Sequence, residues 1–192
     1  QGMRGYLKKL KADCFEDIVA MLALYRPGPL DAGMVDDYIQ VKHGAKVRYP
    51  HKMLEEILKP TNGVFLYQEQ VMKSAQIMAG YSLGGADILR RAMGKKKVEE
   101  MAQQREVFVK GAAKKNIDKD KANEIFDLID KFSGYGFNKS HSVAYAYISY
   151  QTAWLKAHFP APFMAAVLSG VMDDTDRIAF TVGESKKKGI KI

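Results

Sequence analysis

Cysteine is almost absent. Cys14 stands alone, so the chain has no disulfide framework and no cysteine-based zinc site. No apolar run approaches the ~20 residues that cross a bilayer, which argues against a membrane partner. The first residues lack the apolar stretch of a secretory leader, and a reducing cytoplasm is the simplest compartment. Four histidines (His43, His51, His141, His158) lack metal-ligand spacing, and no HExxH or GxSxG occurs. Leu83-Gly84-Gly85-Ala86 is glycine-rich but lacks the lysine and hydroxyl of a P-loop. Acids are also in short supply: 22 against 30 Lys and Arg give a net charge of +8, which favours a polyanionic partner.

Helical periodicity dominates what is present. The pattern predicts an all-α fold of about eight to ten helices, with at most short strands at loops and at the C-terminal end, in one domain over 1–192. Gln1 to Leu10 reads as a basic, turn-rich lead-in. Asp13 and Glu16 resemble a capping box for a helix ending near Tyr25. Arg26-Pro27-Gly28-Pro29 is a stiff corner, with Arg26 biased to extended backbone by Pro27. That corner either presents Arg26 to a ligand or braces two helices. Helices follow over 33–43 and 51–59. Val64-Phe65-Leu66 can be extended. A long helix over 67–79 buries Val71, Ala75 and Met78. The helix over 98–115 faces the core with Met101, Ala112 and either Val107 or Phe108. Asp118 caps a helix with Ile125, Leu128 and Ile129 inward. Phe163 to Val171 is apolar enough to be buried. Asp173, Asp174 and Asp176 read as cap and turn residues rather than as a metal pair.

Two stretches stand apart. In the first, Gly80 ends one helix, Ser82 caps the next, and Gly94 closes it after Met93. Ala86, Leu89 and Met93 fall inward. Arg90, Arg91, Lys95, Lys96 and Lys97 then crowd five cations into eight residues. Arginine forks suit phosphate oxygens, while lysine acts as a point charge. The second is Gly134-Tyr135-Gly136-Phe137-Asn138-Lys139-Ser140-His141-Ser142. Asn138 or Ser140 caps the helix that follows, and its free N–H groups offer an anion site beside Lys139. His141 in the first turn is either a structural hydrogen-bonder or a ligand contact. Ser142, Ala146, Ser149 and Ala153 form a small-residue stripe suited to helix packing. Tyr145, Tyr147, Tyr150 and Trp154 suit packing more than base stacking.

Four blocks, in order, resemble the fingers domain of the bacterial C-family replicative DNA polymerases. They are Tyr25-Arg26-Pro27-Gly28-Pro29-Leu30, Tyr67-Gln68-Glu69-Gln70-Val71-Met72, Leu83 through Lys96, and Gly134 through Ser142. The resemblance implies a fingers fragment of a DNA-directed DNA polymerase that closes over the nascent base pair. It implies triphosphate contacts from Arg90, Arg91, Lys95 and Lys139, and a ribose discriminator at His141. It also implies DNA contacts from Lys96, Lys97 and Lys110. The implied partners are the incoming dNTP, primer–template DNA, the palm of the same polypeptide and other replicase subunits. The fragment itself is expected to bind no cofactor. The parent's Mg2+ would be held by palm carboxylates upstream, so the fragment alone should not polymerise. The competing reading is a stand-alone basic helical module that holds nucleic acid by charge.

Overall fold

The computed structural model describes residues 2–95 and 98–191, apart from the side chain of Ser133. Among these the chain forms twelve α-helices: α1 (Gly2–Leu10), α2 (Phe15–Leu24), α3 (Pro27–Asp31), α4 (Met34–Lys42), α5 (Glu55–Leu58), α6 (Gln68–Ala79), α7 (Leu83–Lys95), α8 (Val98–Ala113), α9 (Lys119–Ser133), α10 (Lys139–His158), α11 (Pro160–Ser169) and α12 (Thr175–Lys187). The all-α expectation holds. The unforeseen helices are α1 at the N-terminal end and α3 at the proline corner.

Residues 2–10 are helical rather than a loose lead-in. Leu10 is fully buried, Tyr6 packs on Tyr25 with ring centroids 5.7 Å apart, and Lys11 in left-handed backbone ends the helix. Tertiary contact with α2 and α4 supplies what local pattern does not. Cys14, not Asp13, holds the N-cap position of α2. Asp13 instead binds Lys42, and its own N–H donates to Asp17 Oδ2 at 3.1 Å. Pro27 at the first position of α3 nucleates a turn of helix where a plain corner was expected.

The chain divides into two compact units, residues 1–144 and 145–192, with the boundary inside α10. In the first unit, α6 packs against α7 and α8, and α8 against α9. Val71, Ala75, Met78, Leu89, Met93, Met101, Phe108, Ile125, Phe126 and Ile129 share one core. Phe108 is the buried residue of its pair, and Val107 faces solvent. The rings of Phe108 and Phe126 lie 5.5 Å apart, and burial stabilises by about 2–3 kcal/mol for each. Leu128 departs from the expected stripe and is partly exposed.

One buried amide fixes the non-helical stretch before α6. Gln70 Oε1 accepts from the N–H groups of Leu66 and Tyr67, both at 2.9 Å. Its Nε2 donates to Ile57 O at 3.0 Å and Thr61 Oγ1 at 2.7 Å. All four bonds are internal, so the amide is buried without an orphan. Tyr67 then forms an isolated parallel bridge to Phe137.

In the second unit, α11 packs on α12. Lys156 of α10 binds Glu184 of α12 at 2.7 Å. Of the apolar run Phe163 to Val171, Met164 is buried, while Ala165 and Ala166 are exposed. Ser142 and Ala146 are buried, but Ser149 and Ala153 are not, so the small-residue stripe is used only at its start. Tyr147, Tyr150 and Trp154 expose much of their surface. The expected C-terminal strand is absent among the described residues: Gly189 is left-handed, and Ile190 and Lys191 are irregular. No described helix is long and apolar enough to cross a membrane.

Candidate nucleotide-binding site

The first cationic group belongs to α7. Gly80, in left-handed backbone, caps α6, and its N–H reaches Gln76 O at 3.1 Å. Ser82 Oγ accepts from the Gly85 N–H at 3.0 Å and starts α7. Gly94 does not stop the helix, which continues to Lys95. Ala86, Leu89 and Met93 lock one face into the core. On the outer side, both arginines converge on Asp87. Arg90 Nη2 lies 2.8 Å from Asp87 Oδ1, and Arg91 Nε lies 2.8 Å from Asp87 Oδ2. The Arg90 hydrogen bond and the two guanidinium charges hold the Asp87 carboxyl below its ordinary pKa. The side chain of Arg91 is 66% exposed and that of Arg90 34%. The two forks are therefore paired at the surface, on one carboxylate, with a net charge of about +1. Asp87 was missed as an organiser in the sequence. Its spacing of three and four residues from Arg90 and Arg91 is the signal that reveals it.

The second group lies at the start of α10. Asn138, not Ser140, is its capping residue: Asn138 Oδ1 accepts from the His141 N–H at 2.8 Å. Glu69 of α6 reaches across to accept from Asn138 Nδ2 at 3.1 Å and from the Lys139 N–H at 3.2 Å. The expected open anion site is thus occupied by the protein's own carboxylate. Lys139 Nζ stands over the Tyr67 ring at 5.5 Å. It borders a cleft of about 340 Å³ together with Glu56, Tyr67, Glu69 and Lys73. His141 is exposed, and its ring meets the Phe137 ring edge-on at 5.6 Å.

One helix serves both groups. α7 follows the C-terminal cap of α6 and packs along it, while Glu69 at the other end of α6 holds α10. Of the residues assigned to DNA, Lys110 is exposed on α8, 3.4 Å from Glu106. Lys96 and Lys97 lie outside the described residues.

Among the described residues, Asp13, Cys14 and Asp17 bring ligand atoms within 4.8 Å of one another. The Lys42 ammonium already sits there, 2.6 Å from Asp13 and 2.9 Å from Asp17. Asp174 caps α12 by accepting from the Arg177 N–H.

A family model described as the bacterial DNA polymerase III alpha subunit finger domain matches residues 1–116. Over its whole length the chain is 60% identical to DNA polymerase III subunit alpha of Pseudomonas fluorescens and of Pseudomonas aeruginosa. It is 57% identical to that of Escherichia coli K12. In each case the chain spans 17% of the relative's length.

Proposed function

The chain belongs to the finger-domain family of the bacterial DNA polymerase III alpha subunit, and from that premise we propose that it binds the triphosphate of the incoming dNTP and closes over the nascent base pair. The observation that carries this reading is the exposed Arg90–Asp87–Arg91 group on a helix whose other face is locked into the core. Asp87 pre-orients two guanidinium forks, so little side-chain freedom is lost when phosphate oxygens arrive. Lys95 and Lys139 add point charge as the triphosphate develops negative charge during transfer. His141, held edge-on by Phe137, stands against the ribose 2′-hydroxyl. Lys96, Lys97 and Lys110 follow the primer–template backbone. The working enzyme is a DNA-directed DNA polymerase of the bacterial cytoplasm, acting with its palm and the other replicase subunits. Mg2+ would supply charge neutralisation at the phosphates, held by palm carboxylates outside this chain.

The test is Arg90→Ala and Arg91→Ala in the full polymerase on primed template. Each should raise KM for dNTP by about tenfold or more. An unchanged KM for both variants refutes the assignment. The charge-only reading draws on the net charge of +8 and on the exposed Tyr147 and Trp154. It expects even losses of DNA affinity across lysines and arginines, with no separate effect on dNTP. The chain by itself should not extend a primer in the presence of Mg2+ and dNTPs, and extension by the pure chain would overturn that expectation.

A further inference from the structure

We propose that Arg26 is a positioning residue that sets ribose selectivity through Phe137 and His141. Pro27 holds Arg26 in extended backbone, at φ −145° and ψ 155°, where α2 gives way to α3. From there the guanidinium does three things. Its Nε donates to Ala23 O at 2.7 Å, which fixes the side chain to the end of α2. Its Nη2 donates to Tyr135 O at 2.6 Å, across 109 residues of sequence. Its Cζ lies over the Phe137 ring, 4.5 Å from the ring centre. The same Phe137 ring carries His141 against its edge. Gly28, two residues on, has no room for a Cβ, because the Tyr135 ring lies against it.

The backbone of the loop has other anchors. The Phe137 N–H donates to Leu66 O at 3.2 Å, the Gln68 N–H donates to Phe137 O at 2.9 Å, and Glu69 holds the first turn of α10. These bonds fix where Phe137 Cα lies but not where its ring points. Ring direction falls to Arg26, and the ring in turn orients the imidazole. A guanidinium tied down by two hydrogen bonds restrains the ring beneath it in a way a lysine ammonium does not reproduce.

This inference rests on His141 acting as the ribose discriminator. It is read in the full polymerase as the ratio of kcat/KM for ribonucleotide to that for deoxyribonucleotide. Loss of folded enzyme lowers both terms equally and leaves the ratio unchanged, so a merely structural role for Arg26 does not move it. His141→Ala should raise the ratio. Arg26→Ala should raise it in the same direction by about tenfold, and Arg26→Lys by less, since sub-ångström misplacement of a contact group acts on this scale. Should Arg26→Ala give too little protein, Arg26→Lys and Phe137→Leu carry the same test. A ratio moved by His141→Ala but not by the Arg26 and Phe137 variants overturns the role of Arg26 and spares that of His141. A ratio moved by none of them removes both. A rise in KM for dNTP at constant ratio makes Arg26 a phosphate contact and also overturns the proposal.

Discussion

Gly111 marks a close backbone approach between α6 and α8, and replacing it should separate the two helices. A Cβ built on Gly111 of α8 falls inside hard contact with the Ala79 carbonyl oxygen at the end of α6. It also lies 2.9 Å from the Ala79 carbonyl carbon and 3.1 Å from its Cα. Carbon atoms rest about 3.5–4.0 Å apart, and here both partners are backbone, so no rotamer change relieves the clash. The helices must part by roughly 0.5–1 Å, which loosens Met78, Phe108 and Ala112 around the crossing. Overpacking of this kind costs about 1–3 kcal/mol, and the upper end applies where backbone meets backbone. Helix propensity offsets up to about 1 kcal/mol, because alanine is the better helix former. Gly111→Ala should therefore destabilise by about 2 kcal/mol, or roughly 4–8 °C in Tm for a chain of this size. Gly5→Ala in α1 is the matched control, since nothing lies within 4 Å of its Cβ. It should stabilise by up to about 1 kcal/mol. Thermal unfolding followed by circular dichroism reads both. A Gly111→Ala Tm equal to or above the wild type would show that the α6–α8 crossing is not the tight contact described.

Other perturbations follow from the same geometry. Burial opposes ionisation of Asp17, but hydrogen bonds from Lys42, the Asp13 N–H and Cys14 outweigh it and hold its pKa below the ordinary value. A depressed carboxyl stabilises above its unfolded pKa and loses that contribution as pH falls, so denaturation midpoints should decline below about pH 4. Lys42→Ala leaves the Asp17 carboxylate buried without its cation. It should cost about 3 kcal/mol at pH 7, with the deficit shrinking toward pH 3 as Asp17 protonates. A deficit independent of pH would point to lost packing instead. Asp87→Ala should leave the thermal unfolding midpoint nearly unchanged, because its ion pairs lie at the surface. In the full polymerase the same change should raise KM for dNTP about threefold to tenfold through lost pre-orientation, and steady-state kinetics check this. Replacing Lys96, Lys97 and Lys110 together by Ala should flatten the salt dependence of primer–template binding by about 2.7 in log–log slope if each meets a phosphate. An unchanged slope removes them from the DNA path.

The helices that could be read directly from the sequence are those whose pattern and caps agree. α6, α7 and α9 have inward residues at helical spacing, and a left-handed glycine, Ser82 or Asp118 sits at an end. α1 was illegible because only Leu10 is buried and the helix depends on Tyr25 and on α4. α11 misled in the opposite direction: its apolar composition says nothing of which partner, if any, covers Phe163 to Val171. At the candidate site, charge density singled out Arg90, Arg91 and Lys139, but not the carboxylates that organise them. Asp87 was reachable from helical spacing. Glu69 was not, because it meets Lys139 only after 70 intervening steps of chain have folded.

That last pairing bears on how a basic chain remains folded while keeping cations on its surface. Dense like charge works against the compact state, and a helix N-terminus left open adds to it. Glu69 closes the start of α10, and Asp87 sits between two guanidiniums. Each carboxylate neutralises only part of its neighbourhood, so the folded chain tolerates the charge while a net positive field stays at the surface. A triphosphate carries more charge than one carboxylate and can take the forks from Asp87 without dismantling α7, whose stability lies in the buried Ala86, Leu89 and Met93 on the other face. The division of labour within one short helix, core on one side and restrained cations on the other, allows binding strength to vary without changing the fold.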